Sequence, residues 1–378
     1  MPRPLTGLGS PEIAAMCFAS SLFALLLFLC PLYARPTPDY PAPAQVKTAF
    51  LKLSDRPKVP LDVKETAPLT KAGDGLVLEH LSFASEKKTN GTVERVPVIV
   101  LRPEKIGAKM PAVICLHGTG GNKDSQLPFM KELAKRGIIG VAIDARYHGA
   151  RAVAGKKGAA TYNEAIDQAW KTKPGQPMEH PFYYDTCWDI WRTVDFLETR
   201  SDVIPKKLGI IGFSMGGIET WLAAAADDRL QVVVPAIAVQ SFRWSLENEQ
   251  WKGRANTIKL AHEQAAKDLG EPAVNQRVCR ELWNKVIPGM LDQFDCPSML
   301  RLCAGRPMLI VSGTKDGNCP YGGAKIAIEA AEHAYKDAGA SDRLRVMIED
   351  VGHTVTPAQR TAALDWFERW LVKQPASR

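Results

Sequence analysis

Between Lys207 and Ala226 an apolar strand, Leu208-Gly209-Ile210-Ile211, passes through Gly212-Phe213-Ser214-Met215-Gly216-Gly217 directly into a helical run, Ile218 to Ala226. A chain that reverses this sharply needs small residues on both sides of the bend, and the three glycines supply them. Ser214 sits at the tip. Its hydroxyl is expected to stand clear of a sheet's C-terminal edge, backed by a helix N-terminus that favours negative charge. At Gly and Ser frequencies near 7%, the pattern G-x-S-x-G arises by chance about 0.1 times in a chain of this length. The strand and helix around it therefore carry as much of the inference as the pattern itself.

The rest of the chain keeps the same rhythm. Short apolar runs at 112–116, 138–143, 208–211, 232–239, 308–311 and 344–348 alternate with helical patterns at 126–135, 215–226, 324–336 and 361–372. Apolar runs of strand length between helices predict an α/β fold, a doubly wound and mostly parallel sheet with helices on both faces, spanning 75–378. At its start, 77–83 and 96–101 read as strands flanking Thr89-Asn90-Gly91-Thr92, where Asn-Gly predicts a tight type I′ hairpin turn. Asn90-Gly91-Thr92 is also a glycosylation acceptor pattern, which the turn reading does not need. Two stretches exceed the minimal sheet: 149–181, rich in Lys, Gly and Ala, and 241–307, which carries Trp244, Trp251, Trp283 and two amphipathic patterns at 258–269 and 278–290. Both join strands in the half bearing Ser214. A helical lid is therefore expected from 241–307, with Trp244, nearest the preceding strand, as a wall of the pocket. The alternative is that these helices pack on the flank of the sheet.

A serine hydroxyl is a weak nucleophile and needs a base to take its proton and donors for the oxyanion that forms. His117-Gly118-Thr119-Gly120-Gly121 follows the strand at 112–116, so its backbone lies at the ligand-binding edge of such a sheet. With the N–H of Met215 as one oxyanion donor, Thr119 N–H is the candidate for the second and Gly118 the fallback. Asp316 follows the strand at 308–311 and is the candidate orienting acid; His353 follows the last strand and is the candidate base. The chain order Ser214, Asp316, His353 is that of one serine-hydrolase fold and differs from the others that use the same three residue types. Asp350, three residues before His353, is the rival acid.

Ahead of the sheet, 13–34 is almost continuously apolar with Arg3 before it, which predicts a cleaved export signal ending near Ala34 or an uncleaved membrane anchor. The Pro-rich stretch 35–74 reads as a linker or extended arm. The formal charge is +7, but Lys and Arg are interspersed with acidic residues and leave no footprint for nucleic acid. Of eight cysteines, Cys115, Cys187, Cys279, Cys296, Cys303 and Cys319 follow the apolar segment. In an oxidising compartment Cys279, Cys296 and Cys303 are near enough in sequence for a local bridge, whereas Cys115, inside a strand, reads as a small buried hydrophobe. No C-x-x-C occurs, so neither a zinc nor a dithiol site is indicated.

On these residues, together with Ile143-Asp144-Ala145-Arg146-Tyr147-His148-Gly149 after the second parallel strand, the chain resembles the α/β-hydrolase superfamily over 75–373. Within it the likeness is to the dienelactone-hydrolase and acetyl-xylan-esterase-like branch. The D-x-R-x-x-G turn is similar to that of those esterases and related peptidases, which makes His148 structural or pocket-lining. The resemblance implies an ester hydrolase acting on small-molecule esters through a Ser-His-Asp triad and an acyl-enzyme, without cofactor or metal, and a lid over the site implies short acyl chains. Serine stands where dienelactone hydrolases proper use cysteine, and no propeller precedes the domain as in prolyl-oligopeptidase enzymes. A small-substrate peptidase or amidase would share every residue named here, and a binding protein that keeps the fold without turnover is the reading from another class.

Overall fold

The computed structural model describes residues 40–373, so the apolar segment at 13–34 lies outside the described residues. Nine strands form one mixed sheet: β1 (Lys64–Gly73), β2 (Leu76–Lys87), β3 (Val93–Pro103), β4 (Met110–Leu116), β5 (Ile139–Ile143), β6 (Val203–Phe213), β7 (Leu230–Ala236), β8 (Met308–Gly313) and β9 (Leu344–Glu349). Their order is β1-β2-β3-β5-β4-β6-β7-β8-β9. The pairs β1/β2, β2/β3 and β3/β5 are antiparallel, and every pair from β5 to β9 is parallel. After β4 the chain steps to β5 on one side and then crosses to β6 on the other. The crevice beyond the carboxyl ends at such a reversal is where these sheets bind ligands.

Both faces of the sheet are covered, which is why the central strands are apolar throughout: Val113, Ile114, Val141, Ile210 and Ile211 are all buried. One face packs against helices Pro43–Ser54, Tyr184–Thr199, Met215–Ala226 and Tyr321–Asp337, the other against Leu127–Ala134 and Pro357–Phe367. The last of these starts earlier than the 361–372 periodicity suggests. Thr356 and Gln359 form a reciprocal capping box with a proline in the first turn, a start signal that outweighs apolar spacing.

Three other expectations are corrected. Part of 35–74 belongs to the fold: Pro43–Ser54 is a helix whose Val46 and Phe50, four apart, are buried, and Phe50 lies edge-on to Tyr184 and Phe294 at 5.2 Å each. β1, from the same stretch, pairs along the β2 edge. The hairpin at Asn90 is a three-residue loop: Gly91 N donates to Lys88 O (2.8 Å), Lys88 N donates to Thr92 O (2.8 Å), and Gly91 takes the left-handed φ of 85° while Asn90 does not. That is a type I turn closed by a glycine bulge, which Asn-Gly serves as well as the two-residue turn. The six described cysteines are unpaired and buried, so Cys279, Cys296 and Cys303 act as small core hydrophobes. Among the described residues no helix is long and apolar enough to cross a membrane.

Stretch 241–307 folds into helices Phe242–Glu247, Lys252–Thr257, Lys259–Asp268, Gln276–Val286 and Cys296–Leu300, and helix Ala160–Lys171 from 149–181 packs on the third and fourth. Its own core includes Ile258, Val278, Leu282 and Trp283. There the neutral imidazole of His262 accepts from Trp283 Nε1 (3.0 Å) and donates to Ile258 O (3.2 Å), and burial pushes it down to about 4. Because that lies below the ordinary 6.5, its contribution to stability is whole above pH 6.5 and drains as the pH falls toward 4. The loss is roughly 3 kcal/mol. Asp295, raised to about 6 by burial against the hydrogen bonds it accepts, works in the opposite sense: its contribution is lost as pH rises from 3.8 through 6. His262→Gln should therefore flatten the fall in Tm between pH 6.5 and 4, measured by thermal melts; a slope unchanged by the substitution would contradict the assignment.

Candidate active site

The bend after β6 is built from backbone constraints. Helix Met215–Ala226 begins two residues after the last residue of β6, leaving Ser214 at φ 56° and ψ −113°, a conformation that a non-glycine residue keeps only where its surroundings enforce it. Here Ser214 N donates to Ala236 O of β7 (3.0 Å), and Ser214 O accepts from Gly217 N (2.9 Å) and Ile218 N (3.0 Å). Gly216 lies so near the β4 loop that a Cβ on it would come within 2.7 Å of His117 O. Any larger residue would push the bend away from that loop.

His353 lies beyond β9 and reaches Ser214 across β7 and β8. Its Nε2 is 2.8 Å from Ser214 Oγ and its Nδ1 is 2.7 Å from Asp316 Oδ2. The imidazole is partly open, 23% exposed, whereas Asp316 is 4% exposed. The other carboxylate oxygen of Asp316 accepts from Asn318 N and Cys319 N, both at 2.8 Å. Thr314 N to Glu349 O (2.9 Å) and Lys315 N to Val351 O (3.0 Å) tie the acid loop to the histidine loop. Asp350 faces elsewhere: its side chain is 71% exposed and bonds to Thr314 Oγ1 and Lys315 Nζ, each at 2.6 Å.

Opposite Ser214, the loop after β4 is fixed from below. A Cβ on Gly118 would sit 3.5 Å from Ser214 Cβ, so this loop abuts Ser214. His117 donates from Nδ1 to Gly118 O (2.8 Å) and accepts at Nε2 from Ala145 N (3.1 Å), a neutral tautomer that its burial also favours. Asp144 accepts from Lys123 N (2.8 Å) and Ala150 N (3.0 Å), joining this loop to the turn after β5. In the same turn Arg146 is fully buried against Asp189 (2.8 and 3.2 Å) and Glu86 (2.7 Å), and Arg151 also reaches Asp189 (2.7 Å). His148 is buried and pushed down to about 3 by burial and then by His117; its Nδ1 donates to Arg146 O (2.8 Å). The D-x-R-x-x-G turn thus serves as scaffolding for the loop holding Thr119. Met215 opens its helix, so its N–H has no preceding helical carbonyl to meet.

The remaining sequence candidate, Trp244, is half-buried, with its indole against Gly322 at the start of helix Tyr321–Asp337. Trp283 is fully buried and Trp251 nearly so. Asp189 and Arg254, buried ionic residues on helices that carry no motif, leave no signal in the sequence. Among the described residues one group is spaced to share a metal ion, Asp316, Cys319 and His353, with ligand atoms within 4.8 Å of one another. Arg254 Nη2 lies 3.2 Å from that thiol, so a cation there would meet a guanidinium.

Residues 96–262 match the model of the dienelactone hydrolase family. The chain is 27% identical over 291 residues to YtaP of Bacillus subtilis (strain 168), which is named as a hydrolase; the match spans 74% of this chain and 84% of that one. Among solved structures, acetyl xylan esterase 1 from Thermoanaerobacterium sp. JW/SL YS485 superposes with a TM-score of 0.60 at 18% identity, covering 88% of this chain and 95% of the other. The acetyl xylan esterase from Paenibacillus sp. R4 gives 0.59 at 17% identity, covering 86% and 93%. These two likenesses establish the fold.

Proposed function

We propose, from the premise that this chain belongs to the α/β-hydrolase superfamily in its dienelactone-hydrolase and acetyl-xylan-esterase-like branch and is a carboxylic ester hydrolase, that it cleaves short-chain acyl esters through Ser214, His353 and Asp316. Support comes chiefly from one observation, His353 hydrogen-bonded at once to Ser214 Oγ and Asp316 Oδ2. Ser214 Oγ attacks the ester carbonyl carbon while His353 Nε2 takes its proton. The tetrahedral oxyanion is met by the N–H groups of Met215 and Thr119 on the two segments flanking Ser214. The carbonyl re-forms as the C–O bond breaks, and His353 returns the proton to the departing alkoxide. Water, deprotonated by His353, then attacks the acyl carbon; the bond from that carbon to Ser214 Oγ breaks, His353 returns the proton to Ser214 Oγ, and the acid leaves. Asp316 holds the imidazole in the tautomer with Nδ1–H and stabilises its cation.

Acyl length is read from the 241–307 insertion. Trp244 packs at the head of the helix that directly follows the Asp316 loop, and in this reading its rigid indole narrows the acyl side. Comparing acetyl, butyryl, octanoyl and aminoacyl p-nitrophenyl or anilide substrates tests the substrate class; a preference for aminoacyl anilides would favour a peptidase. Trp244→Ala should raise the octanoyl-to-acetyl ratio of kcat/KM by about 10-fold, the discrimination a few methylenes allow. Equal losses on both esters, with a lower Tm, would make Trp244 a packing residue. Residues 13–34 are assigned to export or membrane attachment, testable by fractionating cells that express the full chain.

A further inference from the structure

The loop bearing Asp316 is tied to the sheet on one side through Thr314 and Lys315. On the other side it meets the 241–307 insertion. Helix Lys252–Thr257 lays Gly253 on this loop so closely that a Cβ there would overlap Gly317 O. Arg254 follows, 1% exposed, and its Nη2 donates to Asn318 O (3.1 Å) and Cys319 Sγ (3.2 Å). These are the two residues whose N–H groups hold Asp316 Oδ1. Cys319 Sγ passes the link on to Ile237 O (3.3 Å), just beyond β7. With its amide turned to satisfy both ends, Gln240 accepts from Arg254 Nε and Nη2 (3.3 Å each) and donates to Asn318 O (3.2 Å). A guanidinium taken this far from water is strongly disfavoured unless its surroundings compensate. Burial opposes its charge, and Asp316 is the carboxylate among the groups that act most strongly in its favour.

We propose that Arg254 is a positioning residue for Asp316. It clamps Asn318 and Cys319 so that their N–H groups fix one carboxylate oxygen and leave the other aimed at His353 Nδ1. The 241–307 insertion is then a buttress of the acid loop. This rests on the Ser214-His353-Asp316 reading.

The test is steady-state hydrolysis of p-nitrophenyl acetate by the full chain, with active sites counted by complete fluorophosphonate labelling. Arg254→Met should lower kcat per labelled site about 10- to 100-fold with little change in KM, the cost of a misplaced catalytic group. Arg254→Lys keeps the charge and one donor and should fall between Arg254→Met and the wild type. Wild-type kcat per labelled site in both variants, whatever their Tm, overturns the proposal. Should Arg254→Met fail to fold, Arg254→Lys decides: a fall of about threefold or more at constant KM supports the clamp, and no fall overturns it. Ser214→Ala is assayed alongside. Turnover by that variant sinks the triad reading and the clamp with it, whereas an inactive Ser214→Ala beside unaffected Arg254 variants sinks the clamp alone.

Discussion

Ser214→Ala should lose about 10⁴-fold or more in kcat on p-nitrophenyl acetate, because no acyl-enzyme can form without the attacking oxygen. The loss corresponds to at least about 5 kcal/mol of transition-state stabilisation. The fold should persist. Alanine bears the same φ penalty as serine at this bend, and the bonds from Ser214 N to Ala236 O and from Gly217 N to Ser214 O are backbone bonds that the substitution leaves in place. An inactive variant with a near-normal Tm is therefore the expected pairing. Residual activity near the wild-type level would remove Ser214 from the chemistry altogether.

The second large effect separates two aspartates that are close in sequence to different parts of the site. Asp316→Asn should lower kcat about 10²- to 10⁴-fold, since an amide facing His353 Nδ1 favours the wrong tautomer and cannot stabilise the imidazolium. Asn318 N and Cys319 N can still donate to the amide oxygen, so the loop should stay folded and the loss should appear in kcat. Asp350→Asn should stay within about twofold, because an exposed pair such as Asp350 with Lys315 contributes little. Equal losses from both substitutions, or the reverse ranking, would reassign the acid.

What the sequence discloses here is what local patterns encode. The bend at Ser214 needs glycines at fixed offsets, and Asp316 and His353 each follow an apolar run of strand length, so the three could be placed by topology without coordinates. Thr119 was legible only as a position in a glycine-rich loop after β4. The helix Pro43–Ser54 was hidden because the prolines around it mask the i, i+4 pair Val46 and Phe50, which becomes intelligible only when Tyr184 and Phe294 close around it. Arg254 gave no signal at all. Its partners, Asn318 O and Cys319 Sγ, are more than sixty residues away and include a backbone carbonyl, which no residue pattern records. Arg146 was visible in the D-x-R-x-x-G turn, but its partner Asp189 was not, because it lies on a separate helix with no motif around it.

The most direct measurement is the site of covalent modification by a fluorophosphonate probe, read by peptide mass spectrometry on the full chain. Only a serine whose proton is removed by a neighbouring base and whose adduct oxygen meets preset donors reacts quickly with such a probe. A single adduct is expected on the peptide containing Ser214, slowed by a competing acetyl ester, strongly slowed in Asp316→Asn and absent in Ser214→Ala. Ester turnover with Ser214 unmodified, or with the adduct on another serine, would contradict it.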